Sequence, residues 1–348
     1  MSANEFDEDD RVEVISETDE YYILNEYRVG KKYKLNKDGS VIDSKIQVFE
    51  DRGFKFGNYV ELLINYAMLY GNDFEMQDFS IGNVSVKIDN PSILYDAVMN
   101  EFCGDKYYES DSYYTISLQG ITNDNYEEYL AKAIYLIGYY NPSTEDGSYP
   151  ECFEFLGELY YKYATDEEIV DNRRKNDTGF NTKCFPDLQH YEAISFYNEG
   201  MSLQGREIAF QYFYKVLEHF FLICRQDEFK NLIANYNANN DINVFTDEVV
   251  KIYKTQEDIQ LKILLTSIQS DITNLVHDAY VNSYISAEDV EEFGEKLYLY
   301  RNTIVHGKSD ERFFLKTPSQ IGDKKELFWT TIVEKIAEAL IRKYCIVK

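Results

Sequence analysis

Arg301, Asn302 and His306 stand close together near the end of a helical pattern, and Gly307 follows them directly. Arginine holds a phosphate or carboxylate through a planar fork of donors. Histidine changes charge near neutral pH, so it can take up or release a proton during a reaction. A permanent cation, a carboxamide and an imidazole are together the minimum equipment for cutting a phosphodiester without a metal.

The element that must present them opens at Ser286-Ala-Glu-Asp289, a capping pattern. Along it Phe293, Leu297, Tyr300 and Ile304 recur at helical spacing and predict a core stripe. At roughly 100° per residue Arg301 falls on one shoulder of that stripe. Asn302 and His306, four residues apart, are expected on the opposite side, open to solvent or to another surface. Gly307 makes His306 a C-terminal helical residue, where the negative end of the helix dipole favours imidazolium. Arg and His also occur in last turns simply because they complement that dipole.

The whole stretch from about residue 190 to 348 reads as helical. Ala209, Phe213, Val216, Leu217, Phe220 and Cys224 share a stripe that Phe210, Tyr212, Tyr214 and Phe221 widen beyond one face, the mark of a central or shared helix. Thr255-Gln-Glu-Asp258 is a second capping pattern, opening a run of apolar spacing to about Tyr280. Lys325–Tyr344 carries Phe328, Ile332, Ile336, Leu340 and Ile341 at helical intervals, with Trp329 expected to pack in the same helix. The expected form is an all-α antiparallel bundle.

Two segments carry a family resemblance. Arg301-Asn302-x3-His306-Gly307 resembles the Arg-polar-x(4–6)-His signature of the HEPN superfamily. Upstream, Phe210-Gln-Tyr-Phe-Tyr-Lys-Val-Leu-Glu218 is similar to the "YY-x-V-L-E" helix of Apea-like HEPN domains. The likeness covers residues 188–348 and none of the first half. It implies an HEPN-like helical bundle that forms a homodimer with a composite site across the interface. In active members it implies a metal-independent endoribonuclease of toxin or anti-phage defence systems, with RNA as substrate and no cofactor. On that reading His306 is general acid and base, Arg301 holds the phosphate, Asn302 orients the site and Glu218 supports it from the neighbouring helix. Other members are non-catalytic modules that bind a protein partner or nucleotide. Members silenced by a nucleotidyltransferase carry Tyr two residues after the His. Lys308 stands there, so modification at this point is not expected.

The first half differs. Residues 1–19 read as a flexible acidic tail. Residues 20–170 read as a mixed α and β recognition or regulatory domain, with strands at Tyr21–Tyr27, Tyr33–Leu35, Ile46–Phe49 and Phe79–Ile88, the last interrupted by Gly82 and Asn83. Tyr59–Tyr70, Asn125–Tyr140 and Glu154–Ala164 read as helices. Residues 171–189, with Arg173, Arg174 and Lys175, read as a linker. The fold class expected is therefore an α+β domain followed by the bundle.

Charge limits the partners. The chain has 348 residues and a net charge of −27, of which −7 falls on residues 186–348 and −20 on residues 1–185. Such acidity opposes general nucleic-acid affinity, which comes from Lys and Arg neutralising phosphates. It suits a basic protein partner or inhibitor. Five widely spaced cysteines, none in a CxxC pair, point to a reducing compartment, and the acidic start lacks the features of a secretory signal. No apolar run approaches the length of a membrane span, so a cytoplasmic protein is expected. His190, His219 and His277 show no metal-ligand spacing. Phosphate-loop, dinucleotide and serine-hydrolase motifs are absent. Tyrosines in residues 107–118 sit at strand spacing, which sheet packing explains.

Overall fold

A computed structural model of the chain describes residues 12–41, 45–49, 52–64, 78–103, 114–122, 125–140, 149–150, 152, 184–203, 207–305 and 324–346. The chain divides into two compact units, Met1–Leu188 and Gln189–Lys348.

In the first unit, β1 (Val12–Glu17), β2 (Tyr21–Glu26) and β3 (Lys31–Asn36) form an antiparallel meander. A larger sheet joins β4 (Ile46–Phe49), β5 (Gly53–Phe56), β6 (Tyr59–Ile64), β7 (Asp78–Ile81), β8 (Val84–Asp89), β9 (Tyr114–Gln119) and β10 (Cys184–Phe185) in the order β10-β7-β8-β9-β6-β5-β4. All its pairings are antiparallel except β10 on β7. Period-two burial runs through β2, where Tyr22, Leu24 and Glu26 point inward, and through β8, where Val84, Val86 and Ile88 do. Gly82 turns β7 into β8 at φ 56°, a left-handed backbone that residues with a Cβ rarely adopt. Helix α1 (Ile93–Cys103) packs Ile93, Leu94, Tyr95, Val98 and Met99 against Tyr22, Leu24, Phe54 and Tyr59. Helix α2 (Tyr126–Tyr140) follows β9.

Three expectations for this unit are corrected. Residues 1–19 were expected as a flexible acidic tail, but Val12–Glu17 is strand β1, paired with β2 and burying Val12. Tyr59–Tyr70 was expected as a helix, but Tyr59–Ile64 is strand β6, with every side chain buried. A strand covered on both faces shows a continuous apolar run, which periodicity cannot tell from a buried helix. Residues 65–70 lie outside the described residues. Cys184–Phe185, inside the stretch read as linker, pair with Ser80–Ile81 of β7, and Leu188 is buried. Lys132 on α2 also bonds Asp187 at 2.6 Å.

The interior of this unit holds a polar network. Ser92 caps α1 by accepting the Tyr95 N–H at 2.9 Å. Beside it lie two buried carboxyls. Glu61 accepts from Tyr59 Oη at 2.8 Å, Ser92 N at 2.9 Å and Thr115 Oγ1 at 2.6 Å, and stands 3.4 Å from the Arg28 guanidinium. Glu26 accepts from Tyr33 Oη at 2.8 Å and from the Ile93 N–H at 2.9 Å. Burial, reinforced by the nearby charge of Glu61, pushes the Glu26 carboxyl up to about 7 despite those donors. A carboxyl whose folded pKa exceeds its unfolded value stabilises the fold fully at low pH and loses that contribution as pH rises through the folded value. Raising the pH from 5 to 8 should therefore cost this unit up to about 3 kcal/mol. Urea unfolding at both pH values checks this: Glu26→Gln should flatten the difference, and an equally steep dependence in the variant would refute it.

The second unit is helical throughout its described residues. Its helices are α3 (Tyr191–Ser202), α4 (Glu207–Phe220), α5 (Gln226–Asn239), α6 (Ile242–Tyr253), α7 (Glu257–Ser267), α8 (Gln269–Val281), α9 (Val290–Val305) and α10 (Lys324–Tyr344), with a 3-10 turn at Ile223–Arg225. Helix α4 is central, packing against α3, α7 and α10. Phe210, Phe213, Val216, Leu217 and Phe220 are all buried, as the widened stripe requires. Trp329 of α10 lies among Tyr284, Phe293, Tyr300 and Phe328. The apolar run from Thr255 is broken at Ile268, whose ψ of 20° departs from helix, so α7 and α8 are separate. Thr255 caps neither: its hydroxyl donates to the Lys251 carbonyl. The cap of α9 likewise falls later than Ser286. Asp289 accepts the Glu292 N–H at 3.1 Å, while the Glu292 carboxylate reaches back to the N–H groups of Ser286 and Ala287.

Candidate functional site

Helix α9 is held by Phe293, Leu297 and Tyr300, all buried, with the Tyr300 ring 5.2 Å from Phe210 and 5.9 Å from Trp329. Gly294 lets α7 approach closely, since a Cβ there would meet Leu265 Cδ1 at 3.2 Å and Lys262 Cγ at 3.3 Å. Fixed on these sides, α9 turns Arg301 toward the end of α4 and the start of α7.

There the guanidinium meets two carboxylates. Arg301 Nη2 lies 3.2 Å from Glu218 Oε1, on the last turn of α4, and 3.3 Å from Glu257 Oε1, on the first turn of α7. Its Nη1 donates to Asn302 Oδ1 at 3.1 Å, and its carbon stands 5.4 Å from the centre of the Tyr214 ring. Tyr214 in turn donates its hydroxyl to Glu257 at 3.1 Å. Burial raises the Glu218 carboxyl above its ordinary value, against the opposing pull of Arg301. Burial also drives the Tyr214 phenol far upward, which keeps it a donor. The Arg301 side chain retains 14% exposure, so the site is reachable from solvent. One cation between two acids can exchange a carboxylate for an incoming phosphate, with Asn302 keeping the fork in plane.

Arg301, Asn302 and Glu218 come together although Glu218 is 83 residues from Arg301. Asn302 does not face outward as expected: it is 2% exposed and turned onto Arg301. A helical wheel leaves a side to solvent only when a single face is packed, and α9 also lies against α7 and α8. His306, with Gly307 and Lys308, lies outside the described residues, as do Arg173, Arg174 and Lys175. Glu257 and Tyr214 were missed as site residues. Glu257 sits within the capping pattern and Tyr214 within the aromatic stripe, where each has a sufficient local explanation.

The remaining histidines pair with other side chains. His190 and His219 face each other at 3.4 Å, both with pKa lowered by burial, and His277 pairs with Glu288 at 2.9 Å. Among the described residues no group of three or more His, Cys, Asp or Glu is placed for a metal ion. In the first unit a pocket of about 230 Å³ is lined by Glu26, Tyr27, Arg28, Lys87, Asp89 and Asn90 among others. Its guanidinium is committed to Ser117, Thr115, the Asn90 carbonyl and Glu61, leaving no donor for a ligand. No helix among the described residues is long and apolar enough to cross a membrane.

No family model, curated protein or solved structure matches the chain at a significant level.

Proposed function

We propose that the second unit is an HEPN-type, metal-independent endoribonuclease that acts as a homodimer, in a toxin or anti-phage defence setting. Arg301 holds the scissile phosphate and Asn302 orients it. His306 takes the proton from the attacking 2′-hydroxyl and its copy in the partner subunit returns one to the leaving 5′-oxygen. The products are a 2′,3′-cyclic phosphate and a 5′-hydroxyl. The observation carrying this reading is the convergence of Arg301, Asn302 and Glu218 on one solvent-reachable guanidinium, from two segments that the resemblance picks out independently.

The competing reading is a non-catalytic module that binds a protein partner or nucleotide. The second carboxylate, Glu257 at 3.3 Å, favours it, because Arg301 is then more than neutralised in the unbound state. Incubating the purified chain with mixed RNA in EDTA separates the two. Cleavage to cyclic-phosphate ends, slowed about 100-fold or more in His306→Ala, is expected for the nuclease. No cleavage, or equal cleavage by the variant, would leave the binding module.

A further inference from the structure

Two donors end on one oxygen. Arg301 Nη2 stands 3.3 Å from Glu257 Oε1, and the Tyr214 hydroxyl donates to the same atom at 3.1 Å. Glu218 is placed differently. Its Oε1 meets Arg301 Nη2 at 3.2 Å, but a phenol has one proton and Tyr214 gives it to Glu257. A carboxylate oxygen gripped by a guanidinium N–H and a phenol O–H stands where a phosphate oxygen would be gripped, since both are anionic acceptors for the same donors.

The donors are held in place and the acceptor is the looser member. Tyr214 is buried, its ring stacked on Phe210 at 5.9 Å, and Phe210 lies edge-on to Tyr300, the residue before Arg301, at 5.2 Å. The guanidinium carbon lies 5.4 Å from the centre of the Tyr214 ring, and Nη1 is tied to Asn302 at 3.1 Å. Burial keeps the phenol protonated far above neutral pH, so it remains a donor. Glu257 reaches this pair from a separate helix, on the first turn of α7, and its side chain is 29% exposed against 14% for Arg301.

We propose that Tyr214 is a phosphate-binding residue and that Glu257 is a built-in surrogate of the substrate phosphate, filling the anion position between Tyr214 and Arg301 until an RNA phosphate displaces it. The nuclease reading enters only in naming RNA as the natural source of that phosphate. Two carboxylates face one guanidinium in the resting site, so a stray anion meets net negative charge there. When Glu257 swings out to solvent, Nη2 and the Tyr214 hydroxyl become free together and can take one phosphate oxygen between them. Glu218 stays on Nη2 from the α4 side and keeps the guanidinium in place.

Inorganic phosphate titrated into the full chain by calorimetry tests this directly. Glu257→Ala should bind phosphate about tenfold or more tightly than wild type, the scale of a hydrogen bond to a charged group. Glu257→Gln, which keeps the shape and drops the charge, should shift in the same direction and guards against a folding defect in the alanine variant. Adding Tyr214→Phe to Glu257→Ala retains the stacked ring and should remove the gain, again about tenfold. Phosphate affinity that rises in neither Glu257 variant overturns the surrogate. A gain that survives Tyr214→Phe makes Glu257 a merely repelling charge and overturns the role of Tyr214. RNA cleavage measured in parallel fails separately. Tighter, Tyr214-dependent phosphate binding with no cleavage by any variant keeps the anion site and removes the nuclease, whereas cleavage without that gain removes the surrogate alone.

Discussion

Replacing Arg301 with alanine is expected to slow RNA cleavage by about 100- to 1000-fold, the usual cost of removing one preorganised donor to a developing oxyanion. Lysine should rescue little. The site places Nη1 on Asn302 and Nη2 between Glu218 and Glu257, a planar arrangement that a single ammonium cannot reproduce. The alternative is that Arg301 merely ties α9 to α4 and α7. Then the variant would lose stability because two carboxylates face each other without their cation, and Glu218→Gln with Glu257→Gln in the same chain would restore it. Melting curves and cleavage rates measured side by side separate the roles. If the triple variant regains both stability and cleavage, Arg301 is only a tie. If stability returns and cleavage does not, it acts on the phosphate.

Glu61→Ala should destabilise the first unit by about 3–5 kcal/mol, the cost of breaking a buried ion pair from one side. Glu61 is fully buried, and its removal leaves Arg28, 7% exposed, without its carboxylate. Ser92 N, Thr115 Oγ1 and Tyr59 Oη lose their acceptor at the same stroke. Adding Arg28→Met to that variant should cost little further, or recover part of the loss, since the stranded cation goes with it. Urea midpoints of the two single variants and the double variant measure the coupling. Simple addition of the two single effects, or a loss below about 1 kcal/mol for Glu61→Ala, would show that the network is not a unit.

Legibility differed by element for physical reasons. The aromatic stripe of α4 and the Phe293–Leu297–Tyr300 stripe of α9 were readable because amphipathic helices write their packing at a fixed period. Strands β2, β3, β4 and the β7–β8 hairpin were readable through alternation and the Gly82 turn. β6 was misread because a strand buried on both faces carries no alternation. α1 was missed although Ser92 caps it, because its short apolar run sits among strands. Arg301, Asn302 and Glu218 were picked out, but the orientation of Asn302 was not, since a wheel drawn for one helix does not know its neighbours. Glu257 was hidden for a related reason: an acid in a first helical turn already has the dipole to account for it.

The two-residue strand β10 carries a consequence for synthesis. Its partner β7 ends at Ile81, roughly a hundred residues earlier, so the ribosome has made nearly all of the first unit before the sheet's last ladder can close. Truncation at residue 170 would strip β7 of a neighbour and Lys132 of Asp187, whereas a cut after Leu188 keeps both. A separation of the halves is therefore best made after Leu188, where the first unit ends.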